Sequence, residues 1–312
     1  MVGRDRSPRR SLSTAETRRA RRQQRMLRIG CVKYLNARPL IRGWPGEVEF
    51  DHPSALCERL ARGELDVALV SSFEFLRNPI YRIIDDVSIS SNGPVYSVMV
   101  AHRDEISKID EIGLDPASET AVNLLRCLLG ELGLNPHLKQ RSTGILSAGG
   151  TDSSCGEPVG AAGVSPAVVK PGSASRAQLL IGDQAIRFRQ KHADEFQFWD
   201  LGEQWNKLFG LPFVYALWLI RPEVVASKQI ADRLRGVRDE NLGRLNTLIA
   251  DAVAHVGDPG HAEISREFLD CYYREHLRFS FGKKEKEGLR TFAQLCAKRG
   301  LLPGGGIAFD LV

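Results

Sequence analysis

Short apolar runs alternate with helix-length amphipathic segments from residue 27 to residue 220, and this alternation limits the fold more than any other feature. The run Leu65-Asp66-Val67-Ala68-Leu69-Val70 is almost continuously apolar, as a strand covered on both faces requires. The segment before it, 53–61, reads as a helix: Pro53 suits the first turn, Leu56 and Leu60 lie one turn apart, and Gly63 closes it. Further strands are expected at 27–32, 47–50, 95–101, 179–183, 198–201 and 213–220. The clearest helix is 118–132, where Ala121, Leu124, Leu125, Leu128, Leu129 and Leu132 share one face, Ser118 can cap the start and Gly133 follows the end. Beyond Arg221 the chain reads as helical to about residue 300. Such an order predicts an α/β fold with largely parallel sheets.

Two segments stand outside this pattern. Residues 1–25 hold nine arginines, two acids and no aromatic residue, too little apolar surface to offset the entropy of ordering them, so a disordered basic tail is expected. Met26, opening directly into the first strand, could equally be the working start. Within 142–175, 24 of 34 residues are Gly, Ala, Ser, Thr or Pro, and none is aromatic, so a flexible insertion spanning about 140–177 is expected.

The tail also explains the formal charge. Of the net +5, +7 lies in residues 1–25, and the remaining 287 residues carry 34 basic against 36 acidic side chains. A folded part without cationic excess argues against a nucleic-acid-binding domain. No run of eighteen apolar residues occurs and the basic start lacks the apolar middle of an export signal, so a cytoplasmic protein without a membrane span is expected. Six cysteines lie far apart with no zinc-type spacing, and most read as small buried hydrophobes in a reducing compartment.

Common catalytic signatures are missing: there is no GxSxG, no HExxH, no GxxxxGK[ST], and the seven histidines stand in unrelated contexts. Neither a metal nor a cofactor is implied. What remains are small polar residues at the carboxyl ends of expected strands, where open α/β sheets hold ligands. They are Asn36 and Arg38 after the first strand, Ser71 after 65–70, Ser97 in the turn-and-strand phrase 92–97, Ser118 and Thr120 opening the long helix, and Gly182 with Asp183 after 179–181. Each has a plainer role when taken alone: an Asx turn for Asn36, helix caps for Ser118 and Asp183, packing for Ser97.

Taken in order, these phrases resemble one family. Tyr34-Leu35-Asn36-Ala37-Arg38-Pro39-Leu40, Gly63 to Val70 with Glu74-Phe75-Leu76, Gly93-Pro94-Val95-Tyr96-Ser97-Val98, Leu180-Ile181-Gly182-Asp183, the stretch from Trp205 through Gly210-Leu211-Pro212-Phe213-Val214 to Trp218, and Leu277 to Gly282 are similar to chorismate dehydratases of the futalosine route to menaquinone. The likeness spans about residues 26–302 apart from the insertion.

That resemblance implies a two-lobed fold of the periplasmic-binding-protein type (type II), with residues 26–100 and 213–312 in lobe 1, 101–212 in lobe 2, crossings near 97–101 and 211–214, and the ligand cleft between the lobes. It implies loss of water from chorismate to give 3-[(1-carboxyvinyl)oxy]benzoate, with no cofactor and a small-molecule substrate as the partner. Asn36 and Ser97 match the positions that meet the reacting carbons, and Ser118 and Thr120 match a carboxylate site at a helix start. Arg38, Ser71, Gly182 and Asp183 are the remaining substrate-binding candidates. Glu119 stands where the family usually has a cation, and would repel a carboxylate unless it points away. Two other readings fit less well: a non-catalytic two-lobed carboxylate binder, which would need an export signal, and a nucleic-acid role for the arginine tail.

Overall fold

A computed structural model describes residues 27–115, 117–140, 177–256 and 264–312; the basic tail, most of the expected insertion and Cys155 lie outside the described residues. The strands, in chain order, are β1 (Ile29–Val32), β2 (Val48–Asp51), β3 (Val67–Ser71), β4 (Arg82–Ser91), β5 (Val98–His102), β6 (Glu111–Leu114), β7 (His137–Gln140), β8 (Ala177–Ile181), β9 (Gln197–Asp200) and β10 (Phe213–Ile220). The principal helices are α1 (Pro53–Ala61), α2 (Ser72–Arg77), α3 (Glu119–Glu131), α4 (Gly182–Lys191), α5 (Leu201–Phe209), α6 (Ser227–Gly243), α7 (Leu245–Val256), α8 (Arg266–Cys271) and α9 (Lys283–Lys298).

The strands form two five-stranded sheets, ordered β2-β1-β3-β10-β4 and β7-β6-β8-β5-β9. The chain leaves the first sheet at Ser91, enters the second at Val98, and returns at Phe213. Both sheets are mixed, which corrects the expectation of largely parallel sheets: β10 runs antiparallel to β3 and β4, and β5 runs antiparallel to β8 and β9. The cause is the double crossing. β5 follows β4 of the other sheet with no helix between them, and β10 comes back from the second sheet through α5, so neither strand completes a crossover within its own sheet, the connection that returns a chain parallel to its predecessor.

Local chemistry accounts for the elements that orient the cleft. β3 is buried along its whole length, as its unbroken apolar run requires. α3 buries the face of Leu124, Leu125, Leu128 and Leu129, takes a cap from Ser118, and ends before Gly133, whose φ of +68° suits a residue without Cβ. β4, β6 and β7 went unpredicted. β4 carries the paired carboxyls Asp85 and Asp86 and a serine-rich end, yet it buries Ile83, Ile84, Val87 and Ile89. Its Ser90 and Ser91 hydroxyls find backbone carbonyls at Arg278 and Gly93, which removes the cost of covering them.

Aromatic residues bind the return crossing to the C-terminal helix. Trp205 is fully buried, with Phe213 at 5.0 Å and Phe292 of α9 at 6.1 Å between ring centres. Gly288 lets α9 lie on the carbonyl of Pro212, where any side chain would collide. Four of the five described cysteines, at 31, 57, 127 and 296, are buried.

Candidate functional site

Turns after β1 and β3 of the first sheet meet the loop into β5 and the starts of α3 and α4 from the second. Beyond β1 the backbone passes Tyr34 into a short helical turn over Leu35–Ala37, which Pro39 extends by one more turn. The Leu35 peptide is held at both ends: its N–H donates to Asp183 Oδ1 at 2.9 Å, and its carbonyl accepts from the Tyr273 hydroxyl at 2.8 Å. This fixes the direction of Asn36. The Asn36 Oδ1 is buried and has no hydrogen-bond partner, so the residue is not closing an Asx turn.

The loop leading into β5 is fixed as firmly. Ser97 is fully buried; its hydroxyl accepts from Tyr272 Oη at 2.8 Å, and its carbonyl accepts from the Gly182 N–H at 2.8 Å. Just before it, Tyr96 has φ +67°, a left-handed conformation that costs a side-chain-bearing residue about 1 kcal/mol or more. The Asp200 carboxylate accepts both the Val95 and Tyr96 N–H groups, at 3.0 and 2.7 Å, and the Arg189 guanidinium lies 4.1 Å over the Tyr96 ring. Burial pushes the Asp200 carboxyl up, opposed by these backbone donors and by Arg189.

On the remaining wall, Ser71 ends β3 and shares a short hydrogen bond with Thr120, whose Oγ1 also accepts from the Phe73 N–H at 3.1 Å. Ser118 caps α3, accepting from the Ala121 N–H at 3.3 Å. Gly182 begins α4 at φ +61°, and a Cβ there would stand 3.1 Å from the ring of Tyr34. Asp183, one residue further, does not cap α4. Its carboxyl turns across the cleft to Leu35, and burial pushes it up to about 6 despite that N–H and the charges of Arg187 and Arg38.

These turns enclose a cavity of about 60 Å³, room for a few waters, so the cleft is closed tightly on itself. Of the residues singled out in the sequence, Asn36, Ser71, Ser97, Ser118 and Gly182 line it together. Thr120 lies behind Ser71, Asp183 lies behind Leu35, and Arg38 lines a separate groove on the outer side of Tyr34. Glu119 points away and pairs with Arg77 at 2.7 Å, which removes the repulsion its position suggested. Sequence reasoning missed the tyrosines. Tyr34 and Tyr215 line the cavity, and Tyr272 and Tyr273 support Ser97 and Leu35 from a widened helical turn, Tyr272–His276, that places two adjacent side chains toward the cleft.

Among the described residues, no charged side chain lines the cavity, so an anion there would rely on hydroxyls and on the starts of α3 and α4, where N–H groups and the helix dipole favour negative charge. Among the described residues, no three His, Cys, Asp or Glu side chains are grouped as metal ligands would be.

The sequence model of the menaquinone biosynthesis family matches residues 27–155 and 163–298. The chain belongs to this family. Among curated relatives of this menaquinone biosynthesis family member, a chorismate dehydratase of Thermus thermophilus is 28% identical over 284 residues, covering 85% of this chain and 93% of its own length. A chorismate dehydratase of Campylobacter jejuni is 24% identical over 265 residues, covering 84% and 90%.

Solved structures share the fold. The alkanesulfonate-binding protein SsuA from Xanthomonas axonopodis, bound to MOPS, superposes with a TM-score of 0.58 at 15% identity over 90% of this chain and 95% of its own. A Candida albicans protein described as having the generic periplasmic binding protein fold gives 0.54 at 12% identity, over 89% and 91%. The architecture is therefore the two-lobed periplasmic-binding-protein fold.

Proposed function

We propose that this protein is a chorismate dehydratase, a carbon–oxygen lyase that turns chorismate into 3-[(1-carboxyvinyl)oxy]benzoate and water. The observation that carries the reading is the buried, unpartnered Asn36 Oδ1 in a cavity that also presents Ser71, Ser97 and Ser118. A buried amide oxygen without a partner costs about 1–3 kcal/mol, a cost that a bound ligand's donor removes. Family membership and the two curated chorismate dehydratases support the same reading.

The chemistry suits a site with hydroxyls, an amide and helix starts. The ring carbon bearing the enolpyruvyl ether loses its proton, the neighbouring carbon loses hydroxide, and the electron pair of the broken C–H bond completes an aromatic ring. Conjugation to the ring carboxylate activates that proton, and charge develops on the carboxylate as it leaves. Donors aimed at that charge in a water-poor cleft lower the barrier. In this assignment Ser118 and the first N–H groups of α3 hold one carboxylate, and Asn36 and Ser97 orient the reacting carbons. The substrate's own enolpyruvyl carboxylate takes the proton and water leaves.

Incubation of the purified protein with chorismate, followed by the rise of the aromatic product, tests the reaction. Asn36→Ala should lower kcat by about a hundredfold or more, in the range of removing one preorganised polar contact, with the fold intact by circular dichroism. Turnover near wild type in that variant would sink the role of Asn36, and absence of turnover in the unaltered protein would leave the carboxylate-binder reading.

A further inference from the structure

On the outer side of Tyr34 lies a second cavity of about 480 Å³, much larger than the closed one. Tyr34 and Val32 line both, so the two spaces meet at the Tyr34 ring, which packs on Gly182 from the other sheet. Three cations line the outer groove: Lys33, Arg38 and Arg42. Arg42 pairs with Asp251, and among the described residues no acidic side chain pairs with Lys33 or Arg38. The carboxylates of β2 point to the other face, where Arg59 pairs with Glu49 and lies 3.9 Å from Asp51. The groove's apolar surface comes from Trp44 and Phe50. Phe50 is 45% exposed, high for a phenylalanine.

This placement stands out because the net charge beyond residue 25 is not positive. Residues 26–312 carry two more acids than bases, and among the described residues no charged side chain lines the inner cavity. Two cations with no acid at ion-pair distance among the described residues, beside two aromatic surfaces and next to Tyr34, which also lines the closed cavity, suit a ligand with a flat unsaturated ring and more than one carboxylate.

We infer that the groove of Lys33, Arg38, Trp44 and Phe50 is an entrance subsite, where a ring-bearing dicarboxylate is captured before it passes Tyr34 into the closed cavity. The inference rests on the dehydratase reading for the identity of the ligand, and on the groove's own chemistry for the class. Lys33 and Arg38 supply attraction and the aromatic pair supplies a flat surface. Tyr34 must leave Gly182 for the ligand to go further.

The test uses the full chain and two ligands. Isophthalate, a benzene ring with two carboxylates, is titrated while tryptophan emission is followed. Trp44 is the reporter, because Trp199, Trp205 and Trp218 are buried. The expected result is a saturable change that Trp44→Phe abolishes, and an apparent Kd about tenfold weaker in the Lys33→Gln/Arg38→Gln double variant at low ionic strength, converging with wild type as salt rises. In turnover of chorismate the same double variant should lose about tenfold in kcat/KM, mostly through KM, with a flatter salt dependence. If chorismate is turned over but the double variant matches wild type in both measurements, the entrance subsite is wrong and the dehydratase stands. If isophthalate binding depends on Lys33 and Arg38 while chorismate is never turned over, the subsite stands and the reaction is wrong.

Discussion

Asp183 is the place where one substitution separates an electrostatic cost from a structural contact. Its carboxyl sits deep beside the cleft, and burial pushes it from an ordinary 3.8 up to about 6, while the Leu35 N–H, Arg187 and Arg38 pull the other way. Raised in the folded state, the carboxyl binds its proton more tightly folded than unfolded. The resulting stability is fully present below pH 3.8 and is lost as pH rises through 6. At about 1.4 kcal/mol for each pH unit between those two values, the loss at neutral pH is at most about 3 kcal/mol, less in so far as solvent reaches the side chain. Asp183→Asn removes the titration and keeps an oxygen that can accept from Leu35. Relative to wild type, Asp183→Asn should therefore gain up to about 3 kcal/mol between pH 3.5 and 7.5, read as urea midpoints or as a relative rise of about 5–10 °C in Tm. Asp183→Ala should behave differently, because it leaves the buried Leu35 N–H without its acceptor, at a cost of about 1–3 kcal/mol at either pH. A difference between Asp183→Asn and wild type that stays flat from pH 3.5 to 7.5 would refute the reasoning.

Other substitutions probe neighbouring contacts. Tyr272→Phe removes the donor to Ser97 Oγ and should lower kcat by about tenfold while KM changes little, since the ring remains to fill its fully buried place; a kcat equal to wild type would show that Ser97 needs no such anchor. Gly182→Ala puts a Cβ against the Tyr34 ring at a positive φ, and should cost about 1–3 kcal/mol in urea unfolding together with most of the activity. A fully stable, active Gly182→Ala would mean that the cleft does not depend on this close approach. Glu119→Gln removes a surface ion pair with Arg77 and should change stability by less than about 1 kcal/mol. It should leave the chorismate KM where it was, whereas a KM several-fold lower would show that Glu119 acts on the ligand after all.

How far the fold could be read beforehand depended on how plainly each strand showed its burial. β3 and β8 are buried along their whole length and β10 everywhere but at Tyr215 and Ala216, and all three were visible as apolar runs. β4 was hidden because its covered polar positions include Ser88 and Ser90, whose hydroxyls are satisfied by the distant carbonyls of Ser280 and Arg278, a partnership that no local pattern displays. The direction of β5 and β10 was hidden for a related reason: hydrophobicity marks a strand, but its sense is set by which sheet the chain has just left. Of the residues that line the closed cavity, Asn36, Ser71, Ser97, Ser118 and Gly182 were legible as small polar residues or glycine at strand ends. The four tyrosines were not, since a tyrosine in an apolar phrase reads as core until the fold shows where its hydroxyl goes.

Charge placement gives the strongest link between sequence and mechanism. A dianionic substrate in a cavity with no cation lining it among the described residues looks contradictory if attraction and catalysis are required of the same residues. In the proposed assignment they are kept apart. Glu119 is turned outward to Arg77, the hydroxyls and helix starts surround the closed cavity, and Lys33 and Arg38 stand outside Tyr34. A lysine or arginine inside would bind the ground-state carboxylates about as strongly as the transition state, which lowers KM without raising kcat. Neutral, fixed donors such as Ser118 and the first N–H groups of α3 respond most when charge moves onto the ring carboxylate, so leaving cations out of the inner cavity is consistent with a site that accelerates the reaction rather than storing its substrate. A cationic side chain introduced at Ser71 should accordingly tighten chorismate binding while lowering kcat, and a variant such as Ser71→Lys that improved both would overturn this division of labour.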